Sequence, residues 1–310
     1  MTLYPELPPG FFFNPDHFFN QPIARDHPVD NNSQVYIDYY ESLSPIVYGE
    51  CTMPYNILSS PELVNVKPFQ GNHDYKDPIT DRFPSGNGLE IQNGRYTDAE
   101  KDKDHHLLVV DLATKRLYET YQLREEGSNW IQEGCALFQC ANDQPRPHDI
   151  WQASADAAGF PILPGLIRRD EVLRKHIPHA LRITIKMTYP GYVAPATHGA
   201  TWDTSLDPKH LPMGARLRLR LGVRPEDFDE YTAVVIRCLQ DYGAYVADNG
   251  VNFALTAAAE NTGDFPQCFR GYRAPGENDK GTFHLTDKYG YAVRPSDFEV
   301  MRLGEVHPLK

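Results

Sequence analysis

The sequence predicts a mainly β fold, an antiparallel β-sandwich or jelly-roll-like single domain with one amphipathic helix and long irregular loops. Three observations predict it. Two segments alternate apolar and polar residues without a fault, only one clean helical stripe is visible, and 26 prolines and 22 glycines punctuate the 310 residues.

In chain order, residues 1–32 carry six prolines and the clusters Phe11-Phe12-Phe13 and Phe18-Phe19. They read as an irregular arm pinned by aromatics, since disordered segments are poor in such rings. Residues 33–310 then form the single β-rich domain. From Gln34 to about Tyr96, short apolar pieces separated by Pro, Gly and Asn predict loops with a few strands. His106-Leu107-Leu108-Val109-Val110-Asp111 has a buried-strand pattern, and Leu117-Tyr118-Glu119-Thr120-Tyr121 returns with period two after a turn, which predicts a hairpin. Trp130 to Cys140 predicts a further strand.

Leu181-Arg182-Ile183-Thr184-Ile185-Lys186-Met187 and Ala215-Arg216-Leu217-Arg218-Leu219-Arg220-Leu221 are the two alternating segments, each with one apolar and one polar face. The helix is predicted over about 229–242, where Tyr231, Val234, Val235, Cys238, Leu239 and Tyr242 form one stripe. Asp229 suits its start and Gly243 its end. A strand from Ala244 to Ala247 follows, and Asp248-Asn249-Gly250 turns the chain into another from Val251 to Thr256.

The formal net charge of −12 argues against a nucleic-acid partner and an anionic membrane surface, because phosphate binding needs a basic face. No apolar run is long enough to span a bilayer. The Pro-rich stretch Met1–Gly10 lacks the basic and apolar regions of a signal peptide. The five cysteines, Cys51, Cys135, Cys140, Cys238 and Cys268, include no C-x-x-C pair, so buried thiols are expected over a disulfide framework, with Cys135 and Cys140 the pair that a bend could bring together. No P-loop, Gly-x-Gly-x-x-Gly, His-Glu-x-x-His or Gly-x-Ser-x-Gly occurs.

Polar residues gather between Arg146 and His198. Ser154-Ala-Asp-Ala-Ala-Gly159 followed by Pro161 and Pro164 would hold Asp156 in a fixed geometry, either for catalysis or as a turn cap. Glu119 shares a strand face with Leu117 and Tyr121, where a carboxylate would have a raised pKa suited to a general acid; the alternative is that it points outward, with Tyr118 and Thr120 inward. Glu171 stands beside Arg168, Arg169 and Asp170, where a surface ion pair is the plain alternative. His106, His179 and His198 flank predicted strands and could shuttle protons or, by converging, hold a metal. The catalytic candidates are therefore Glu119, Asp156, Glu171, His179 and His198. The substrate-binding candidates are Arg168, Arg182, Arg216 and Arg218, for bidentate polar contacts, with Trp151 and Tyr118 for stacking.

The run Ser154-Ala-Asp-Ala-Ala-Gly-Phe-Pro-Ile-Leu-Pro-Gly-Leu-Ile-Arg-Arg-Asp-Glu-Val172 and then Ile177-Pro-His-Ala-Leu-Arg182 resemble a family of largely uncharacterised, often secreted microbial proteins. Asp104-His-His-Leu-Leu-Val-Val-Asp111, Pro195-Ala-Thr-His198, Pro212-Met-Gly-Ala-Arg216 and Tyr242-Gly-Ala-Tyr-Val-Ala-Asp-Asn-Gly250 extend the resemblance, in order, over roughly residues 28–255. The resemblance implies relatives and secretion, but no reaction.

The functional expectation is a carbohydrate-active enzyme that cleaves glycosidic bonds in a poly- or oligosaccharide. It would be a hydrolase using paired carboxylates, or a lyase using the arginine row and a His or Tyr base on a uronate polymer. The aromatic content of 12%, offering stacking surfaces, motivates it. The alternatives are a non-catalytic glycan-binding module and a His/carboxylate metalloenzyme. No organic cofactor is expected, and a metal ion belongs only to the last reading.

Overall fold

The computed structural model describes residues 6–68, 82–97, 103–141, 154–200, 207–259, 265, 267–270, 272–274 and 281–308. Residues 6–32 hold one short 3-10 turn, Phe18–Asn20, and are fixed to the core by their rings. Phe19 is fully buried and meets Phe160 and Tyr245 edge-on, with ring centroids 5.8 Å apart in both pairs. Burying such a ring contributes about 1.5–3 kcal/mol, enough to fix an irregular stretch to the core.

Helix α1 (Ser33–Leu43) follows, burying Ser33, Tyr36, Ile37 and Tyr40 at helical spacing. This segment was expected to be loop and strand. The stripe is only four residues long and rich in tyrosine and β-branched neighbours, which read equally as strand.

The chain then forms β1 (Tyr48–Met53), β2 (Asn56–Leu58), β3 (Leu63–Pro68) and β4 (Arg82–Pro84). The predicted hairpin is β5 (Leu107–Asp111) with β6 (Arg116–Tyr121), paired antiparallel from Leu107↔Thr120 to Asp111↔Arg116. Asp111 closes its turn, accepting hydrogen bonds from Ala113 N at 3.0 Å and Thr114 Oγ1 at 2.6 Å. The single strand expected over Trp130–Cys140 is two, β8 (Asn129–Gln132) and β9 (Gly134–Gln139), preceded by β7 (Arg124–Glu126). Cys135 and Cys140 lie five residues apart along extended chain, roughly 17 Å, so they cannot bridge, and none of the five cysteines forms a disulfide.

A short helix α2 (Arg169–Leu173) leads to β10 (Leu181–Ile185), β11 (Gly191–Val193) and β12 (Arg216–Leu219). The predicted helix is α3 (Thr232–Asp241). Asp229 caps it, its Oδ1 accepting from Tyr231 N and Thr232 N at 3.0 and 2.9 Å. Gly243 ends it at φ +70°, where a Cβ would lie 2.2 Å from the Leu217 carbonyl oxygen, so only glycine fits. The described residues thus hold three α-helices rather than one. The remaining strands are β13 (Ala244–Asn249), β14 (Ala254–Ala258), β15 (Gly281–His284), β16 (Phe298–Val300) and β17 (Val306–Pro308).

The fold is mainly β, built from mixed sheets. The largest has seven strands in the order β15-β1-β14-β10-β13-β12-β16, and four-stranded sheets run β2-β5-β6-β9 and β4-β3-β8-β7. Pairs β1/β14 and β10/β13 are parallel, so the wholly antiparallel arrangement expected from the sequence is corrected. Alternation reports which face a side chain takes and carries no information on strand direction. The strands either side of Asp248-Asn249-Gly250 also do not pair with each other, because β10 lies between them. One core cluster underlies the large sheet and the N-terminal segment, and a second, around Phe83, Val109, Tyr118 and Trp130, lies between the smaller sheets.

Candidate active site

The alternation of β10 creates the site. Leu181, Ile183 and Ile185 face the main core, which leaves Arg182, Thr184 and Lys186 on the opposite face. That polar face is buried at Arg182 and Thr184 and open to solvent at Lys186. It walls a cavity of about 680 Å³. Glu50 of β1 pairs with Thr256 of β14, and pairing places both on the cavity side.

A bulge supplies the next group. Ile183 pairs with Val246, but Thr184 pairs with Asp248, so β13 carries one extra residue there. Without it, Asp248 would share the apolar face of Ile185. With it, Asp248 turns into the cavity, the re-aiming that bulges perform beside functional sites. The facing wall comes from segments next to the β5–β6 hairpin and contributes Gln92, Asp104 and His106, while Ser44 follows α1.

Electrostatics separate the titrating groups. Burial pushes the His106 imidazole down to about 4, with Asp104 pulling the other way and Arg182 reinforcing the fall. His106 Nδ1 lies 3.1 Å from the Thr120 carbonyl, which can only accept, so Nδ1 carries the proton and Nε2 holds a lone pair. Burial and the neighbouring Asp156 and Asp104 push Asp248 up to about 8, against the pull of Arg182. Its carboxyl lies deep in the protein, but the side chain keeps 34% of its surface open to the cavity, so solvent tempers that rise. One cavity therefore holds a carboxyl pushed toward its protonated form and an imidazole pushed toward its neutral form.

Asp156 and Arg182 stand behind this wall. Arg182 Nη2 meets Asp156 Oδ1 at 2.6 Å, Nε meets Oδ2 at 3.3 Å, and Nη1 donates to Thr256 Oγ1 at 2.7 Å. The pair is almost fully buried and bidentate, the geometry that guanidinium and carboxylate favour. Arg182 also approaches Asp248 at 3.9 Å. Of the substrate-binding candidates in the described residues, Arg182 alone borders the cavity, and each of its three nitrogens already holds a protein partner.

The other candidates are dispersed. Glu119 is fully buried, and its carboxyl accepts from Ile162 N at 3.0 and 2.8 Å and from Leu163 N at 2.9 Å. It closes the start of the turn at Leu163–Gly165 and does not border the cavity. Burial pushes it up to about 8 despite those N–H groups. Between its ordinary 4.5 and that value, the folded protein holds a proton that the unfolded chain has released. Stability is therefore expected to fall as pH rises across that window, by up to about 1.4 kcal/mol per unit for one proton. Glu119→Gln keeps an acceptor for the backbone and should flatten the decline, as read from urea midpoints between pH 5 and pH 9. An unchanged slope would assign the pH dependence to other groups.

Glu171 and His179 form a separate cluster with Arg168. Arg168 Nη2 reaches Glu171 Oε1 at 2.5 Å, and His179 Nε2 lies 3.0 Å from Oε2. Burial alone would raise Glu171, but Arg168 and His179 outweigh it and hold the carboxyl below its ordinary value. Phe12 covers Arg168, with the guanidinium carbon 5.2 Å from the ring centroid, so this cluster ties the N-terminal segment to α2. His198 is fully buried, with Nδ1 2.9 Å from the Ala157 carbonyl. His106, His179 and His198 thus have three different sets of partners. Among the described residues, no three His, Cys, Asp or Glu side chains form a metal-holding group.

Tyr118 is a core ring against Phe83, with centroids 5.6 Å apart, and is not a stacking platform. The arginine row is internally paired rather than a free cationic strip. Arg216 bonds the Tyr242 carbonyl and lies over Tyr245, and Arg218 binds Glu299 at 2.6 Å and the Ala24 carbonyl at 3.0 Å. Trp151 lies outside the described residues. The sequence reading missed Glu50, Gln92, Asp104 and Asp248. The usable signal was the Arg182-x-Thr184-x-Lys186 row on a strand whose other face is core.

No protein-family model, curated protein or solved structure matches this chain.

Proposed function

We propose that this protein is a carbohydrate-active enzyme that hydrolyses glycosidic bonds, with Asp248 as general acid and His106 as general base. The observation that carries the reading is the pairing, in one polar cavity, of a carboxyl held protonated with an imidazole held neutral. Environments that push two pKa values apart mark out acid and base roles. In this reading His106 Nε2 takes a proton from water as its oxygen attacks the anomeric carbon. Asp248 gives its proton to the departing glycosidic oxygen, so charge and atoms balance.

A hydroxyl-rich substrate suits the lining, in which Leu43, Met53 and Val251 are the few apolar members among threonine, asparagine, glutamine and charged side chains. Hydrolysis is favoured over elimination, because Arg182 is already neutralised by Asp156 and the Arg216–Arg218 row is absorbed elsewhere. The test is mass spectrometry of products after incubation with neutral, amino and uronic-acid polysaccharides. Saturated oligosaccharides are expected. Unsaturated ends would replace hydrolysis by elimination, and intact substrates throughout would overturn the catalytic reading.

A further inference from the structure

We infer that Gln92 is a positioning residue for the attacking water, its side-chain carbonyl holding one water proton while His106 takes the other. The inference rests on the glycosidic reading above and adds the group that aims the nucleophile.

A buried amide with nothing to bind leads to it. Gln92 borders the cavity at 3% exposure, and its Oε1 is buried without a hydrogen-bond partner among the described residues. A buried carbonyl oxygen left unmatched costs stability, so folding alone gives no reason for an amide here. The backbone, by contrast, is well held. Gln92 N donates to the His106 carbonyl at 2.9 Å, and Gly94 N closes the same turn on the Ile91 carbonyl at 2.9 Å. The side chain is thus anchored beside the base at its root and unbonded at its carbonyl end. The terminal torsion of a glutamine is soft, so Oε1 can swing toward the cavity without giving up a protein partner.

Depth decides what the amide meets. His106 and Gln92 are buried to the same extent, at 4% and 3% exposure, whereas Asp104 on the same wall is exposed. A group so nearly covered has room for one small partner rather than for a sugar ring, and water is that partner.

Attack needs this second acceptor. Water carries two protons and attacks through a lone pair. With one proton held by His106 alone, the molecule turns about that bond and its lone pair sweeps past the anomeric carbon. A second acceptor stops the turning, which is the orientation that speeds a reaction between held partners. The step balances. The water oxygen bonds to the anomeric carbon, one proton passes to His106 Nε2, and the glycosidic oxygen leaves with the proton of Asp248. The second water proton stays on the new anomeric hydroxyl, held by Gln92 Oε1 throughout.

The experiment compares Gln92→Leu, Gln92→Glu and the unaltered full chain on a polysaccharide that the unaltered chain hydrolyses, with urea midpoints alongside. Gln92→Leu is expected to lose about 10²-fold in kcat with KM unchanged, the scale of a misplaced reactant. Its urea midpoint should stay level or rise, because an unmatched buried acceptor has gone. Gln92→Glu keeps a carbonyl oxygen in either charge state and should recover most of the rate. Azide has no proton to place, so adding it to Gln92→Leu should give glycosyl azide faster than that variant hydrolyses, as read by mass spectrometry. Gln92→Met takes the place of Gln92→Leu should the branched side chain fold poorly.

A lowered urea midpoint in both apolar variants, with a rate loss that azide does not relieve, would make Gln92 structural and overturn the inference. Full kcat in Gln92→Leu would overturn it too, and a rate loss confined to Asp104→Asn would hand the water to Asp104. Each of these outcomes leaves the glycosidic reading standing. Intact substrates with the unaltered chain on every polysaccharide would overturn that reading, and the inference with it.

Discussion

Replacing Asp156 by Asn is expected to destabilise the protein by about 3–5 kcal/mol, the range for removing one partner of a buried ion pair. Arg182 cannot shed its proton, and it has only 5% side-chain exposure through which water could take over from the lost carboxylate. Among the described residues, the other carboxyl within 4 Å of the guanidinium is Asp248, at 3.9 Å. Asp248 should respond, since Asp156 is one of the charges that keep it protonated. The variant is thus expected to lose stability and also to pull Asp248 toward its ionised form.

A companion double variant, Asp156→Leu with Arg182→Met, removes both charges together. It should recover more than half of the loss, because no unpaired charge is left buried. Urea denaturation of the three proteins measures this. A loss below about 1 kcal/mol for Asp156→Asn would mean that the pair is solvated in a way its burial does not suggest.

Asp248→Asn is expected to lower turnover by about 10²–10⁴, the usual contribution of a positioned general acid, with little change in substrate affinity. The amide matches the carboxyl in shape, but it has no proton acidic enough to give to a leaving alkoxide. The pH profile carries an independent sign. Activity needs Asp248 protonated, so it falls as pH rises through about 8. It also needs His106 neutral, so it falls as pH drops through about 4. The wild type should therefore show a bell between those limits, and Asp248→Asn should lose the alkaline limb from whatever activity remains. Full activity in the variant would remove Asp248 from the mechanism, and retention of the alkaline limb would assign that limb to another group.

Local structure was readable wherever the pattern was strong and short-range. The stripe from Tyr231 to Tyr242 became α3, and the capping of that helix by Asp229 and its end at Gly243 follow from local hydrogen bonding and backbone sterics. The β5–β6 hairpin is likewise a contact between neighbours, closed by Asp111 within its own turn. The raised pKa of Glu119 was legible as one of two readings, and the pairing of its strand decided that the carboxyl faces inward.

The tertiary structure decided the rest. Alternation told that Arg182, Thr184 and Lys186 share a face, but not whether that face meets solvent or a second wall. Strand order is a matter of long-range pairing, so nothing near Asp248-Asn249-Gly250 announced that β10 would separate the strands on either side. The bulge opposite Ile183 and Thr184 is a mismatch between segments some sixty residues apart, and it alone turns Asp248 into the cavity. Charge partners follow the same logic. Arg182 is matched by Asp156 and the arginine row by Glu299 and backbone carbonyls, so side chains that look free in the sequence are spent in the fold. By itself the sequence determined which faces are apolar and where single elements start and stop, because those depend on neighbours along the chain. Which polar groups share a cavity was decided by strand pairing across the chain, where loop entropy and side-chain packing, not local propensity, select the partner.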